Sequence, residues 1–576
     1  MRKAKILGLV AASSTVLASF AVGLGTPVVA NAGGSQTGDY VVLYKAGVNP
    51  AVARAAITKA GGTIRQEHAK IGYAVVRSSN PSFVTSINNS SALVGAARDR
   101  VIGRAPGRAQ HSSANIERLT KERQASHGAK ASAPSARNTS TAQASASASA
   151  PAPEPLANRQ WDMRQIGATS AGSYSHDQGS HQVLVGVIDT GIQGAHPDIK
   201  PNFNAALSHN FVTDIESIDG PCEVASCVDP ADQDDDGHGT HVASTIGSPI
   251  NGLGIAGVAP NVSLVNIRAG QDSGYFFLQP TLNALEYAGD IGVDVVNMSF
   301  FTDPWLFNCL DNPADSQAEQ TEQRVIREAT QRSLNYASSH GVLPVAALGN
   351  EATDLGNPTT DDTSPDFPPG TEKHRDVNNS CITVPTESNE VVSVSSTGPT
   401  TRKAYYSNYG QEQTNIAAPG GDAYDSPDET LNERNLVLAA YPKRLAVLNG
   451  ELDANGIPNT PFVVRDCQHK TCAYYQYLQG TSMAAPHAVG VAALIVSAIG
   501  TPDATNGGLT LNPHDTFAQM KATAVPHACP SPRLYHYHRI RTDGTIGEDD
   551  HYCAGGTTNN GFYGPGIVNA NNASLL

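Results

Sequence analysis

The chain has 576 residues and a formal net charge of −15, unevenly divided: residues 1–155 carry 18 Lys and Arg against 6 Asp and Glu, while residues 156–576 carry 20 against 47. So acidic a body, with no basic patch interleaved with aromatics, excludes nucleic acid as a partner. Its last 420 residues or so exceed an ordinary domain yet show no internal repeat, as one large α/β domain with insertions would.

In chain order, Arg2, Lys3 and Lys5 precede an apolar stretch over 6–29, and Ala30-Asn31-Ala32 offers small residues for cleavage. Residues 1–32 therefore read as a secretory signal peptide; Ser13, Ser14, Ser19, Gly23, Gly25 and Pro27 break the run against use as an anchor. No later stretch reads as long and apolar enough to span, so the expectation is a secreted, extracellular protein that leaves the membrane with its signal. Residues 33–104 carry strand patterns at 39–44 and 72–76 and helix patterns at 50–60 and 81–88, a small α+β domain. Residues 105–155, rich in Ala, Ser and Pro, are too poor in large apolar groups for a core and read as a disordered, cleavable linker. The basic first part faces an acidic remainder, so their fields should favour association.

Residues 156–576 form the second domain, and three of its segments carry chemistry. Residues 183–188 are a continuous apolar run ending in Asp189-Thr190-Gly191, which reads as a buried parallel strand with an acid at its carboxyl end, where open α/β sheets bind ligands. Gly237 and Gly239 flank His238 at the start of an apolar helical stretch. Metal ligation by His238 and His241 beside the acids of 232–236 is the alternative, but the spacing lacks the HExxH pattern. Gly480-Thr481-Ser482-Met483-Ala484-Ala485-Pro486-His487 sets one hydroxyl among small residues at a helix start, where unpaired N–H groups can hold a developing oxyanion. An N-capping hydroxyl would be the plainer reading of that segment alone.

Acid, imidazole and hydroxyl thus follow in the order Asp189, His238, Ser482, at separations of 49 and 244 residues. Acyl transfer needs a base for the hydroxyl proton and a carboxylate to orient that base. With VIDTGI around Asp189, DGHGTHVAS around His238 and GTSMAAPH around Ser482, the chain resembles the subtilisin-like (subtilase, peptidase S8) serine peptidases. The resemblance runs on through Gly257-Val258-Ala259-Pro260, Asn297-Met298-Ser299 and Ala417-Ala418-Pro419-Gly420. It implies an α/β fold with a mostly parallel central sheet and helices on both faces. It also implies that Asn350, ending the apolar run 345–349, is the oxyanion donor beside the Ser482 N–H. Segments 299–301 (Ser299, Phe300, Phe301) and 347–349 (Ala347, Leu348, Gly349) would line the substrate. By position, residues 33–104 would be a propeptide that assists folding and occupies the cleft as an intramolecular inhibitor.

Phe300 and Phe301 depart from the Leu-Gly pair usual in the family: they either restrict the cleft or turn their rings into the core. Segments 301–324, 354–382, 424–474 and 527–560 look like insertions and are expected to be surface loops. All eight cysteines follow residue 155. Proximity suggests Cys222–Cys227 and Cys467–Cys472, leaving Cys529–Cys553 and Cys309–Cys381, one of 105 connectivities. No cofactor is required for the chemistry. Asp198 and Asn251 match the family's calcium-ligand positions, so calcium is a candidate structural ion, although Ile250 makes the loop less polar than usual.

The expectation is a monomeric, secreted serine endopeptidase acting on peptide or protein substrates through an acyl-enzyme. A maturation protease for one secreted peptide and a catalytically silent binding protein are the rivals.

Overall fold

The computed structural model describes residues 37–99, 117 and 153–576. The expected signal peptide and nearly all of the linker lie outside the described residues.

The N-terminal α+β domain comprises β1 (Gly38–Tyr44), α1 (Pro50–Lys59), β2 (Thr63–His68), β3 (Tyr73–Ser78), α2 (Phe83–Asn88) and β4 (Leu93–Asp99), with an antiparallel sheet in the order β2-β3-β1-β4. Helix α1 starts where Asn49 accepts a hydrogen bond from the Ala51 N–H (2.9 Å) and Pro50 presets the backbone. Ala53 and Ile57, one turn apart, pack with Val42, Val76 and Phe83. The sequence pattern did not reveal β2 and β4, because both are edge strands: β2 is largely exposed and polar, and β4 is built mostly from small residues.

Beyond it, β5 (Leu184–Ile188), β6 (His209–Asn210), β7 (Ser263–Arg268), β8 (Val295–Met298), β9 (Leu343–Ala347), β10 (Val392–Thr397) and β11 (Ile416–Pro419) form one parallel sheet. The order is β11-β10-β9-β8-β5-β7-β6. Both faces are covered, which is why β5 and β9 read as unbroken apolar runs. Val185, Val187, Val295 and Val345 share a core with α3 (His238–Gly247) and the later helix α6 (Thr481–Ile499). On the other face Val265, Val296 and Met298 meet α4 (Leu278–Ile291) and α5 (Gln317–Ser339). One expectation fails here: α6 is long and apolar enough to cross a membrane, but 83% of its apolar window is buried inside the protein. It is apolar all round because it is surrounded by core.

The outer face of the N-terminal sheet, through Val41, Leu43, Tyr73 and Val75, packs on Leu278 and Leu282 of α4 and on Val325, Ile326 and Ala329 of α5. Polar contacts fix the register at the rim. Lys70 pairs with Asp290 (2.7 Å), His68 meets Glu286 (2.5 Å), and Arg332 donates to the Tyr44 carbonyl (2.8 Å). Two of the three follow the basic-to-acidic polarity expected from composition.

The expected surface loops are largely structural. Segment 424–474 supplies β12 (Val437–Ala440) and β13 (Val463–Gln468), which with β14 (Thr471–Leu478) form an antiparallel sheet against α3. Segment 527–560 forms the hairpin β15 (Leu534–Ile540) and β16 (Ile546–Tyr552), whose buried Tyr537 hydroxyl donates to the Lys403 carbonyl (2.7 Å). Segments 301–324 and 354–382 close over a fully buried Trp305 and Arg375. The reason is chemical: these segments carry aromatics and an arginine that need burial and counter-charge. The four disulfides are Cys222–Cys227 and Cys467–Cys472, the pairs expected from proximity, and Cys309–Cys381 and Cys529–Cys553, the remainder.

Arg375 bonds Asp315 (2.9 Å), Asp361 (2.5 Å) and the Phe307 carbonyl (2.5 Å). Arg375→Leu strips Asp361 of that cation and leaves Asp315 only Lys373. A loss of about 3 kcal/mol or more is expected, read as a lowered urea midpoint.

Candidate active site

The groups read from sequence as catalytic sit at the carboxyl ends of central strands or at the start of a helix facing them. Asp189 follows β5, Ser299 follows β8, Asn350 follows β9, and His238 and Ser482 open α3 and α6. The strand ends and helix starts are tied together by Asp234, fully buried among the acids once weighed as a cation site. One oxygen accepts from the Gly237 N–H (2.8 Å) and the Thr190 hydroxyl (3.1 Å), the other from the Thr240 N–H (2.9 Å). It therefore caps α3 and clamps that helix to the end of β5. The approach is so close that a side-chain carbon at Gly239 would lie 2.1 Å from the Gly191 carbonyl oxygen, so only glycine fits. The capping role of Asp234 and Thr190 was not read from sequence; an Asp three residues before a glycine-led helix start was the available signal.

Asp189, with no exposed surface, accepts from His238 Nδ1 at 2.7 Å. That bond leaves Nε2 as the ring nitrogen facing the cleft. His241, by contrast, turns inward, its Nε2 bonding the carbonyls of Gln476 (3.0 Å) and Val437 (3.2 Å). Burial pushes its pKa down to about 3, so it is a neutral core histidine joining α3 to β12 and β14.

Pro486 lies inside α6 and has no N–H to give the carbonyl four residues earlier, that of Ser482. The Ser299 hydroxyl takes that place, donating to the Ser482 carbonyl at 3.0 Å, and Asn297 Nδ2 donates to the Ser299 hydroxyl at 2.9 Å. The end of β8 is thus bonded to the first turn of α6. Asn350 is oriented through its Oδ1, which accepts from the Thr481 N–H and hydroxyl, both at 2.9 Å, so its amide donors face Ser482. Gly349 is fixed by its N–H donating to the Thr481 hydroxyl (3.0 Å).

One group unsuspected from sequence lies among these residues. The Glu117 carboxylate accepts from Ser482 Oγ (2.6 Å) and Asn350 Nδ2 (3.2 Å), and its second oxygen is 3.4 Å from His238 Nε2. Its only signal was compositional: Glu117 and Glu122 are the sole acids between residues 100 and 130. Burial alone would lower the His238 pKa, but the carboxylates of Asp189 and Glu117 carry it well above the ordinary value.

The proposed substrate edge divides. The Phe300 ring stacks on Phe276 at 4.1 Å within the core, so it does not narrow the cleft. Phe301 is half-buried against the cluster of Leu306, Phe307 and Leu348. The Ala347 carbonyl accepts from the Thr386 hydroxyl (2.9 Å), and Leu348 is wholly buried. Asp198 and Asn251 do meet, Asn251 Nδ2 donating to Asp198 Oδ1 at 3.1 Å.

The family profile described as Subtilase family matches residues 180–564. The chain belongs to that family. Subtilisin DY of Bacillus licheniformis is 28% identical over 319 residues, 55% of this chain and 77% of that protein. Thermitase of Thermoactinomyces vulgaris is 25% identical over 343 residues, 59% of this chain and 84% of its own. Among solved structures, the epidermin leader peptide processing serine protease of Staphylococcus aureus superimposes with a TM-score of 0.58 at 21% identity, covering 94% of this chain and 98% of that one. The subtilase is accordingly a serine-type endopeptidase that takes peptides or proteins as substrates.

Because the His238 pKa is raised on folding, its contribution to stability is fully present below about pH 6.5 and is lost as pH rises through the higher folded value. The urea midpoint of the intact chain should therefore fall on the alkaline side. His238→Gln should remove that part of the slope.

Proposed function

We propose that Ser482 attacks the scissile carbonyl, His238 serves as base and then acid, Asp189 holds the imidazole, and Asn350 with the Ser482 N–H receives the oxyanion. The observation supporting this reading is that Ser482 Oγ, His238 Nε2 and Asn350 Nδ2 all converge on one carboxylate. Three separate segments thus present a nucleophile, a base and an oxyanion donor to a volume the size of a carbonyl carbon and its oxygens.

The proton of Ser482 Oγ passes to Nε2 as the Oγ–C bond forms, and Asp189 stabilises the imidazolium through Nδ1. The carbonyl oxygen takes the negative charge beside Asn350 Nδ2. Collapse breaks the C–N bond, His238 protonates the leaving amine, and water repeats the sequence on the acyl-enzyme. The rest of the reading is a secreted, monomeric enzyme made as a preproenzyme, with the α+β domain of β1–β4 as its intramolecular inhibitor. The apolar and ion-paired seat of that domain on α4 and α5 supports the inhibitor assignment.

Calcium is a candidate structural ion at the Asp198 loop. Two further carboxylates bond the same loop, Glu154 accepting from the Gly252 N–H (3.0 Å) and Asp466 from the Gly254 N–H (2.9 Å). Glu154 Oε2 is buried without a partner, and burial raises the pKa values of Asp198 and Glu154, a charge imbalance that a hard cation would relieve. Chelator should lower the thermal midpoint of the processed enzyme by several degrees, and added calcium should restore it; no shift removes calcium from this reading.

Processed wild-type enzyme should be labelled at Ser482 by a fluorophosphonate and cleave a denatured protein substrate. Asn350→Ala should lower kcat by roughly 10²–10³, about 3–4 kcal/mol, with KM little changed, the size known for such a donor in subtilisin itself. Failure of the wild type to label would overturn the assignment.

A further inference from the structure

Glu117 lies 18 residues beyond the end of β4, and only 6% of its surface is exposed. Its three oxygens all have partners. The backbone carbonyl accepts from the Gln479 N–H (3.2 Å). One carboxylate oxygen takes the Ser482 hydroxyl and an Asn350 amide hydrogen; the other faces His238 Nε2. The methylene groups lie over Gly480, where a side-chain carbon would stand 2.9 Å from Glu117 Cγ. A solvated glutamate would gain nothing from burial here unless these donors repaid its lost hydration.

We propose that Glu117 is an intramolecular plug whose side-chain carboxylate, not its backbone, holds the intact chain inactive. The idea rests on the catalytic roles given above and names what silences them before processing. The two carboxylate oxygens of the plug meet all three catalytic functions, Oε1 taking Ser482 Oγ and Asn350 Nδ2 and Oε2 facing His238 Nε2. With its hydroxyl hydrogen on Glu117 Oε1, Ser482 has no free path to His238. With Nε2 paired to Glu117 Oε2, His238 is held as imidazolium and has no lone pair to take a proton. With Asn350 Nδ2 on the same carboxylate, a substrate oxygen finds its donor taken. The negative oxygen at Asn350 stands where the charge of a tetrahedral intermediate would develop, so the site that favours that charge also binds the plug.

The register of the segment separates this device from a bound scissile bond. The Glu117 carbonyl rests on the Gln479 N–H and not on Asn350, so the Glu117–Arg118 bond is not presented for attack while the plug is seated. The side chain must withdraw before any peptide bond can enter. Covalent connection to the α+β domain favours reseating, because the domain's docking on α4 and α5 keeps the segment at high effective concentration.

The test compares the full-length chain bearing Glu117→Ala or Glu117→Gln with wild type. A small fluorophosphonate is added, and labelling of the uncleaved band is followed separately from that of the processed band. The expected result is that intact Glu117→Ala labels at least tenfold faster than intact wild type. Intact Glu117→Gln, which keeps the shape but loses the charge facing His238, should fall between them. Processed forms, freed of the segment carrying Glu117, should label alike in all three. Equal labelling of the three intact bands, with normal labelling of the processed bands, overturns the plug. Absent labelling of processed wild type would instead strike at the role of Ser482, so the two failures are distinguishable.

Discussion

A carboxylate sealed beneath an imidazole sets the terms for the surrounding architecture. Asp189 has no exposed surface, and a buried anion is costly unless a donor is held against it. His238 Nδ1 is that donor, and bringing it within 2.7 Å requires the first turn of α3 to press on the end of β5. The glycine at 239, the Asp234 cap and the Thr190 hydroxyl all follow from that requirement. Their combined effect is to aim Nε2 at the cleft before any substrate arrives, so the orientation is prepaid in folding.

The additional chain in this subtilase strengthens the same arrangement from behind. The antiparallel sheet of β12–β14 holds the inner face of α3 through His241, and the Ala440 N–H donates to Ser244 in the same helix (2.9 Å). Trp305 and Arg375 turn two other insertions into a small internal layer with its own disulfide, Cys309–Cys381. Even Lys403, wholly buried, is satisfied by the Ala404 and Ser407 carbonyls and by three aromatic rings, and burial drives its pKa well below the ordinary value.

The central strands and the segments bearing Asp189, His238, Ser482 and Asn350 were legible because sequence pattern and chemistry coincide there: an unbroken apolar run ends in the polar group the site uses. The family fold followed from their order. What escaped depends on partners remote in sequence. β2 and β4 exist because β3 and β1 offer free edges, and their own residues carry little of that signal. The insertions read as loops because a Trp or Arg does not announce which distant acids and rings will enclose it. Phe300 could not be assigned to core or cleft until Phe276 appeared opposite it. Glu117 gave no motif at all, since its meaning lies in three donors contributed from 121 to 365 residues away.

The proline in α6 has a reach beyond its own helix. By withholding one amide hydrogen it obliges the Ser482 carbonyl to find a donor outside, and the hydroxyl of Ser299 supplies it. In the proposed reading, the rail along which a peptide would lie and the alcohol that would cut it are therefore fastened to each other, by this bond and by the Ser482 hydroxyl on the Ser299 carbonyl (3.4 Å). A guest that shifts the rail must drag the blade with it, so alignment of the chain to be severed and alignment of the attacking oxygen are one mechanical event.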